Sequence, residues 1–230
     1  MKDVAVVLVD VQRDFLDRTT PAGVGSWEKA FCVPGIERLL DHARDQGWQV
    51  LHVGTKHDDA STLPNHHRRK EIPLYCQDGT PGCEFVIPAR EDEPVLYKHW
   101  YSAFDDSGLE DHLSENTTIV WAGVASDCCI QQSAFEADHS GRHTVVPFQA
   151  VSASHRPAYV GSLVGMAKSA CDVADLADIL DRGIEAPALE VDAIEERSRA
   201  WYTEQQALLP EGDESTLETV LDRLRSRAAL

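Results

Sequence analysis

The sequence predicts a three-layer α/β/α sandwich on a mostly parallel, doubly wound sheet, with a helical extension at its carboxyl end. Three observations carry this expectation. Short apolar runs rich in β-branched residues recur along the chain, segments with helical periodicity alternate with them, and several runs end on a polar residue at the same end. Asp10 closes VAVVLVD, Lys98 closes PVLYK, and Cys129 follows TTIVWAGVASDC where a helix is expected to begin. On parallel strands these side chains emerge at one carboxyl edge, where open α/β sheets form their ligand crevices.

Val4 to Asp10 reads as the first strand. Pro34 to Gln46 reads as a helix, with Pro near its first turn, Leu39 and Leu40 on one face and Gly47 as terminator. Gln49 to Gly54 is the second strand. Residues 55–94 are polar and rich in Pro, Gly and His, too long for a simple connector, and are expected to form a functional loop region with short helices. Pro94 to Lys98 is the third strand, and a short helix near Ser107 to Leu113 leads into the fourth, Thr118 to Gly123. A helix from about Asp127 to Ser140, a strand from His143 to Phe148, a helix from about His155 to Ser169 and a last strand at Cys171 to Val173 complete the alternation.

After Asp181 the composition shifts. A helix containing Ile194, Trp201 and Leu208 among many acids is followed by a PEGD turn and by STLETVLDRLRSRAAL. That last segment has a Ser215/Glu218 capping-box spacing and Leu217, Val220, Leu221 and Leu224 on one face. The expected organisation is a domain over 1–183 and a helical extension over 184–230 that serves association or covering rather than chemistry.

With 230 residues, 43% of them hydrophobic, the chain can bury one large core. A formal charge of −18 argues against an extended nucleic-acid or anionic-membrane surface, so a small molecule is the expected partner. No apolar run approaches the length of a membrane span, and a cytoplasmic location is expected. Cys32, Cys76, Cys83, Cys128, Cys129 and Cys171 are scattered rather than densely spaced, and read as reduced thiols. Lysine is scarce (Lys2, Lys29, Lys56, Lys70, Lys98, Lys168), so one at a strand end stands out.

The chemistry turns on Cys129. A helix amino terminus stabilises a thiolate by about 1 kcal/mol, which leaves most of a thiol protonated at neutral pH. A cation and a base are needed as well, and Lys98 and Asp10 are the strand-end residues able to supply them. Adjacent residues at a strand-to-helix turn point in different directions, so Cys128 is expected to be a buried structural thiol facing away from the acid. Phe15, Trp100, Tyr101 and Phe104 border the expected crevice, with a core role as the competing reading. GVGSWE lacks a third glycine for a dinucleotide fingerprint, no Arg follows Cys129 at phosphatase-loop spacing, and no C-x-x-C pair occurs.

The stretches VVLVDVQRDF, CQDGTPGCEFVIP, YKHWYSAF and GVASDCCIQQSAFEAD followed by GRHTVV resemble the isochorismatase-like cysteine hydrolases, over roughly residues 3–180 and in the family's order. That superfamily contains nicotinamidases, N-carbamoylsarcosine amidases and ureidoacrylate amidohydrolases. The resemblance puts the nucleophile on Cys129, the acid on Asp10 and the lysine on Lys98. It implies a cis peptide at Val124-Ala125, with the backbone N–H groups of Ala125 and Cys129 as the oxyanion hole. It also implies acyl transfer with no cofactor, acting on a small amide, carbamoyl or ureido C–N bond, and a homodimer or larger homo-oligomer.

Nicotinamidases carry a D-x-H…H zinc or iron site after the second strand, whereas this chain reads TKHDDASTLPNHH, out of that register. His57, Asp59 and His67 form at most a reversed set, and the favoured reading is no metal, with solvated loop histidines. Two alternatives stand beside amide hydrolysis: isochorismatase-type vinyl-ether hydrolysis, which needs the acid and lysine but not the cysteine, and a silent binding protein on the same fold.

Overall fold

The computed structural model describes residues 3–209 and 215–228. Seven parallel strands form one sheet: β1 (Val4–Val9), β2 (Gln49–Thr55), β3 (Val95–Lys98), β4 (Thr118–Val124), β5 (Thr144–Pro147), β6 (Val151–Ser152) and β7 (Asp172–Ala174). Their order is β3-β2-β1-β4-β5-β7, with β6 paired to the carboxyl end of β4. The chain thus winds from β1 outward through β2 to β3, then crosses back to β4 on the other side of β1. The winding direction reverses between β1 and β4, and that switch point opens a crevice at the carboxyl edge. Every residue of β1 and β4 is buried, as strands covered on both faces require.

The helices are α1 (Arg13–Leu16), α2 (Val33–Asp45), α3 (Asn65–Arg69), α4 (Cys129–His139), α5 (Arg156–Ser169), α6 (Leu176–Arg182), α7 (Val191–Gln206) and α8 (Leu217–Ala228). Two of them end alike. Gly47 (φ 67°) follows α2, and Trp48 N donates to Ala43 O at 2.8 Å; Gly141 (φ 84°) follows α4, and Arg142 N donates to Ala137 O at 3.0 Å. Both are Schellman closures, in which glycine takes the left-handed position without a Cβ penalty.

The predicted elements recur with shifted ends, and the short helix near 107–113 is a 3₁₀ turn, Leu109–His112. Region 55–94 holds α3 and 3₁₀ turns at Ala60–Thr62 and Pro81–Cys83. α1, the 3₁₀ segment Trp27–Cys32 and β6 carry no strong periodicity and are absent from the sequence reading. The PEGD turn at 210–213 lies outside the described residues. α8 is capped by Thr216, whose Oγ1 accepts from Thr219 N at 3.2 Å, rather than through the Ser215/Glu218 box; Glu218 pairs with Arg13 at 3.0 Å.

The carboxyl-terminal helices share the core of the sheet. Leu217, Val220, Leu221 and Leu224 of α8 are buried beside α2, so this apolar stripe is satisfied within the chain and needs no partner subunit to cover it. On α7, Tyr202 is fully buried, its ring 5.1 Å from Phe31 and its hydroxyl donating to Ala153 O at 3.2 Å. Among the described residues no helix is long and apolar enough to cross a membrane.

α2 is tied to the sheet by Glu93, just before β3. Arg44 Nε and Nη2 donate to its two oxygens at 2.7 and 3.0 Å, Arg90 N donates at 2.9 Å, and His52 of β2 lies 3.1 Å away. Burial alone would raise the Glu93 carboxyl, but Arg44, Arg90 N–H and His52 outweigh it and bring it down to about 2. A depressed folded pKa stabilises above the unfolded value near 4.5, and that contribution is lost as pH falls toward 2. Glu93→Gln is therefore expected to lower stability at pH 7 and to flatten its fall between about pH 4.5 and 2, read by urea unfolding at stepped pH. Parallel acid profiles for the two proteins would contradict this.

Candidate active site

Four strand ends build the site. β1 passes into Asp10, which adopts a left-handed φ of 56°, a conformation aspartate tolerates better than most residues, while its N–H donates to Val53 O at 2.9 Å. β2 ends at Thr55, β3 at Lys98, and β4 runs through Val124 and a cis Val124-Ala125 peptide to the start of α4 at Cys129. Gly123 lets β4 reach this point: its φ is 118°, and a Cβ there would lie 2.1 Å from Val9 O on β1.

Lys98 is the hub. Its side chain is completely buried, and Nζ donates to Asp10 Oδ2 at 2.8 Å, Thr55 Oγ1 at 2.9 Å and Trp100 O at 2.9 Å. An ammonium has three protons, and three oxygens take them. Cys129 Sγ, 3.7 Å from the same nitrogen, is therefore served mainly by its charge. Thr55 Oγ1 donates its own proton to Asp10 Oδ1 at 2.9 Å, so both carboxylate oxygens are engaged. Burial alone would lower the Lys98 ammonium, but Asp10 and Cys129 hold it above the ordinary lysine range.

The two cysteines behave differently from expectation. Cys128 is only half-buried and lines the same cavity as Cys129. The turn into α4 leaves both residues lining the crevice. Hydrogen bonding to Cys128, and then burial, hold the Cys129 thiol well above its ordinary range, while the same bond lowers Cys128.

The cavity has a volume of about 410 Å³ and is walled by Phe15, Lys29, Tyr75, Trp100, Tyr101 and Cys129 among others. Phe104 is not in that lining. The turn at Ser102–Asp105 sends its ring back onto Trp121 in the core, 6.0 Å away and edge-on, so its pocket assignment is corrected to a packing role. Thr55, Tyr75 and Lys29 line the cavity as well, and the sequence does not assign them to it. Thr55 was findable, since it closes β2 as Asp10 closes β1.

The reversed metal set does not come together. Asp59 is exposed and caps the turn at Ala60–Thr62 by accepting from Ser61 N at 2.6 Å. His67 Nδ1 lies 2.9 Å from Tyr75 Oη, and its Nε2 3.2 Å from Tyr101 Oη. His57 is fully buried rather than solvated, because its backbone bridges to Gln77 and its ring sits against Tyr75 and His99. Its Nδ1 contacts Thr62 at 2.9 Å and its Nε2 is buried without a partner; burial, then His99, lower its pKa to about 4. One orphaned nitrogen is no ligand set, and no group of three His, Cys, Asp or Glu among the described residues is arranged to hold a metal. The residues present do not fit the metal site of the nicotinamidases.

A doubly wound parallel sheet with an acid, a lysine and a thiol at its switch point defines a hydrolase of the three-layer α/β class. The isochorismatase domain model matches residues 4–178, and the chain belongs to that family. It is 32% identical over 174 residues to a nicotinamidase of Schizosaccharomyces pombe, covering 59% of this chain and 76% of the relative. It is 29% identical over 145 residues to a probable inactive nicotinamidase of Arabidopsis thaliana, covering 59% and 73%. The crystal structure of an isochorismatase family protein from Desulfovibrio vulgaris superposes with a TM-score of 0.71 at 29% identity, covering 80% of this chain and all of that one. Relatives thus include an enzyme and a protein labelled inactive, and activity has to be argued from the residues.

Proposed function

We propose that this protein is a cysteine-dependent hydrolase that opens the C–N bond of a small amide, carbamoyl or ureido compound through a covalent acyl-enzyme. The observation that carries the reading is the Lys98 ammonium bonded to Asp10 and facing Cys129 Sγ in one buried crevice. Asp10 takes the thiol proton as Sγ attacks the carbonyl carbon, and the carbonyl π pair moves onto oxygen. The N–H groups of Ala125 and Cys129 are the natural donors to that oxyanion, since neither is spent on a backbone carbonyl among the described residues. Collapse breaks the C–N bond, and the leaving amine takes the proton from Asp10. Water, deprotonated by Asp10, then cleaves the thioester, and the acid product and thiol are released.

The proton that Asp10 takes from sulfur is the one the amine needs to leave. Ammonia release should be screened over small amides, ureas and carbamoyl amino acids, with iodoacetamide labelling followed by peptide mass. Cys129 is expected to label, and Cys129→Ala to lower turnover about 10⁴-fold or more. Turnover of a vinyl ether that survives Cys129→Ala would favour isochorismatase-type chemistry instead. An unlabelled Cys129 and no turnover of any substrate would favour the silent binding protein.

A further inference from the structure

We infer that Lys29 is an anion-binding residue of the substrate site, so that the compound this cavity takes carries a carboxylate beside its scissile amide. The inference deepens the amidase reading and rests on it for the identity of the reacting group. Lys29 belongs to the 3₁₀ segment Trp27–Cys32 and is 8% exposed, yet it lines the cavity that holds Cys129. Its Nζ donates to Val24 O at 2.8 Å and lies 5.6 Å from the centre of the Phe15 ring. Among the described residues no carboxylate comes within ion-pairing distance of it.

Other deeply placed cations differ. Lys98 has Asp10 at 2.8 Å, Arg142 has Glu110 at 2.6 Å and Arg44 has Glu93 at 2.7 Å. Burying an ammonium with one carbonyl and one ring face for company is unfavourable, and such a charge persists where a ligand completes it. Burial lowers the Lys29 pKa, while the charges of Cys129, Asp127, Cys128 and Asp10 act against that shift. Asp10 and Lys98 are paired with each other, and Asp127, itself exposed, lines the same cavity without coming within ion-pairing distance of Lys29. Lys29 is thus the buried cation of the cavity lining that has no ion-pair partner among the described residues. Phe15, Tyr75 and Tyr101 add flat faces, and about 410 Å³ limits the guest to a small, compact anion.

The competing role is support of the Cys129 thiolate, and a matched probe pair separates the two. Succinamate carries an amide and a carboxylate; succinamide replaces the carboxylate by a second amide. Calorimetric titration of full-length protein with Cys129→Ala, which prevents turnover, is expected to show succinamate binding at least about tenfold tighter than succinamide. Adding Lys29→Gln should erase that preference, and Lys29→Arg, as the charge-keeping control should Gln fail to fold, should retain it. The rate at which neutral iodoacetamide alkylates Cys129 should change less than about threefold in the Lys29→Gln single variant. Equal affinity for the two probes without the Lys29 substitution, or a preference that survives Lys29→Gln, would overturn the proposal. So would a tenfold slower alkylation, which would assign Lys29 to the thiol. Failure of the amidase reading shows separately, as absent ammonia release with binding intact.

Discussion

Lys98→Met is expected to cost about 3–5 kcal/mol of stability and to abolish hydrolysis together. Asp10 is 1% exposed, and without the ammonium its carboxylate keeps only the Thr55 hydroxyl, 2.9 Å from Oδ1. A buried charge with one neutral donor must protonate or be exposed by unfolding. Thr55 Oγ1 and Trp100 O lose their donor as well, and Cys129 loses the nearby positive charge. The double variant Asp10→Asn/Lys98→Met removes the stranded charge. It should recover part of the lost stability in urea unfolding and none of the ammonia release. A Lys98→Met protein as stable as the parent would show that the pair contributes little net energy to the fold.

Gly123→Ala is expected to cost more than about 3 kcal/mol of stability as well. Its Cβ would meet Val9 O at 2.1 Å, in a register where Val9 pairs directly with Gly123. Two central strands would have to part at the point where they deliver Asp10 and Cys129 to each other. Gly141→Ala is the control, since Gly141 also has positive φ (84°) but nothing within 4 Å of where an added methyl would sit, and about 1–2 kcal/mol is expected there. Similar urea midpoints for the two variants would mean that β1 and β4 separate without penalty.

The sheet and its reactive edge were legible because both obey local rules. Asp10 and Cys129 follow apolar runs that form the fully buried strands β1 and β4, Lys98 ends the half-exposed edge strand β3, and a parallel sheet sends the residues at the ends of such runs to one side. The residues that were missed depend on packing between distant segments. Lys29 stands in a 3₁₀ stretch without periodicity and reaches the cavity because Phe31, two residues on, is anchored against Tyr202. Tyr75 lies in a loop region where only the turns that fold it back on Phe15 decide which rings face inward. Phe104 shows the converse error, since closeness in sequence to Lys98 does not survive the turn at Ser102–Asp105. Cys128 escapes the expectation because alternation, a rule for extended chain, does not hold through a strand-to-helix turn.

The packing of Phe31 on Trp201 and Tyr202 sets an order of assembly during synthesis. A ribosome releases the Trp27–Cys32 segment well before α7, so this wall is made long before the helix that backs it. At ~5–20 residues per second, the stretch between Cys129 and Tyr202 takes roughly 4–15 s to translate. For that interval Phe31 lacks the aromatic contacts with Trp201 and Tyr202 that back the Trp27–Cys32 segment. The wall of the cavity is thus completed by a helix lying beyond residues 4–178, the span that matches the family's domain.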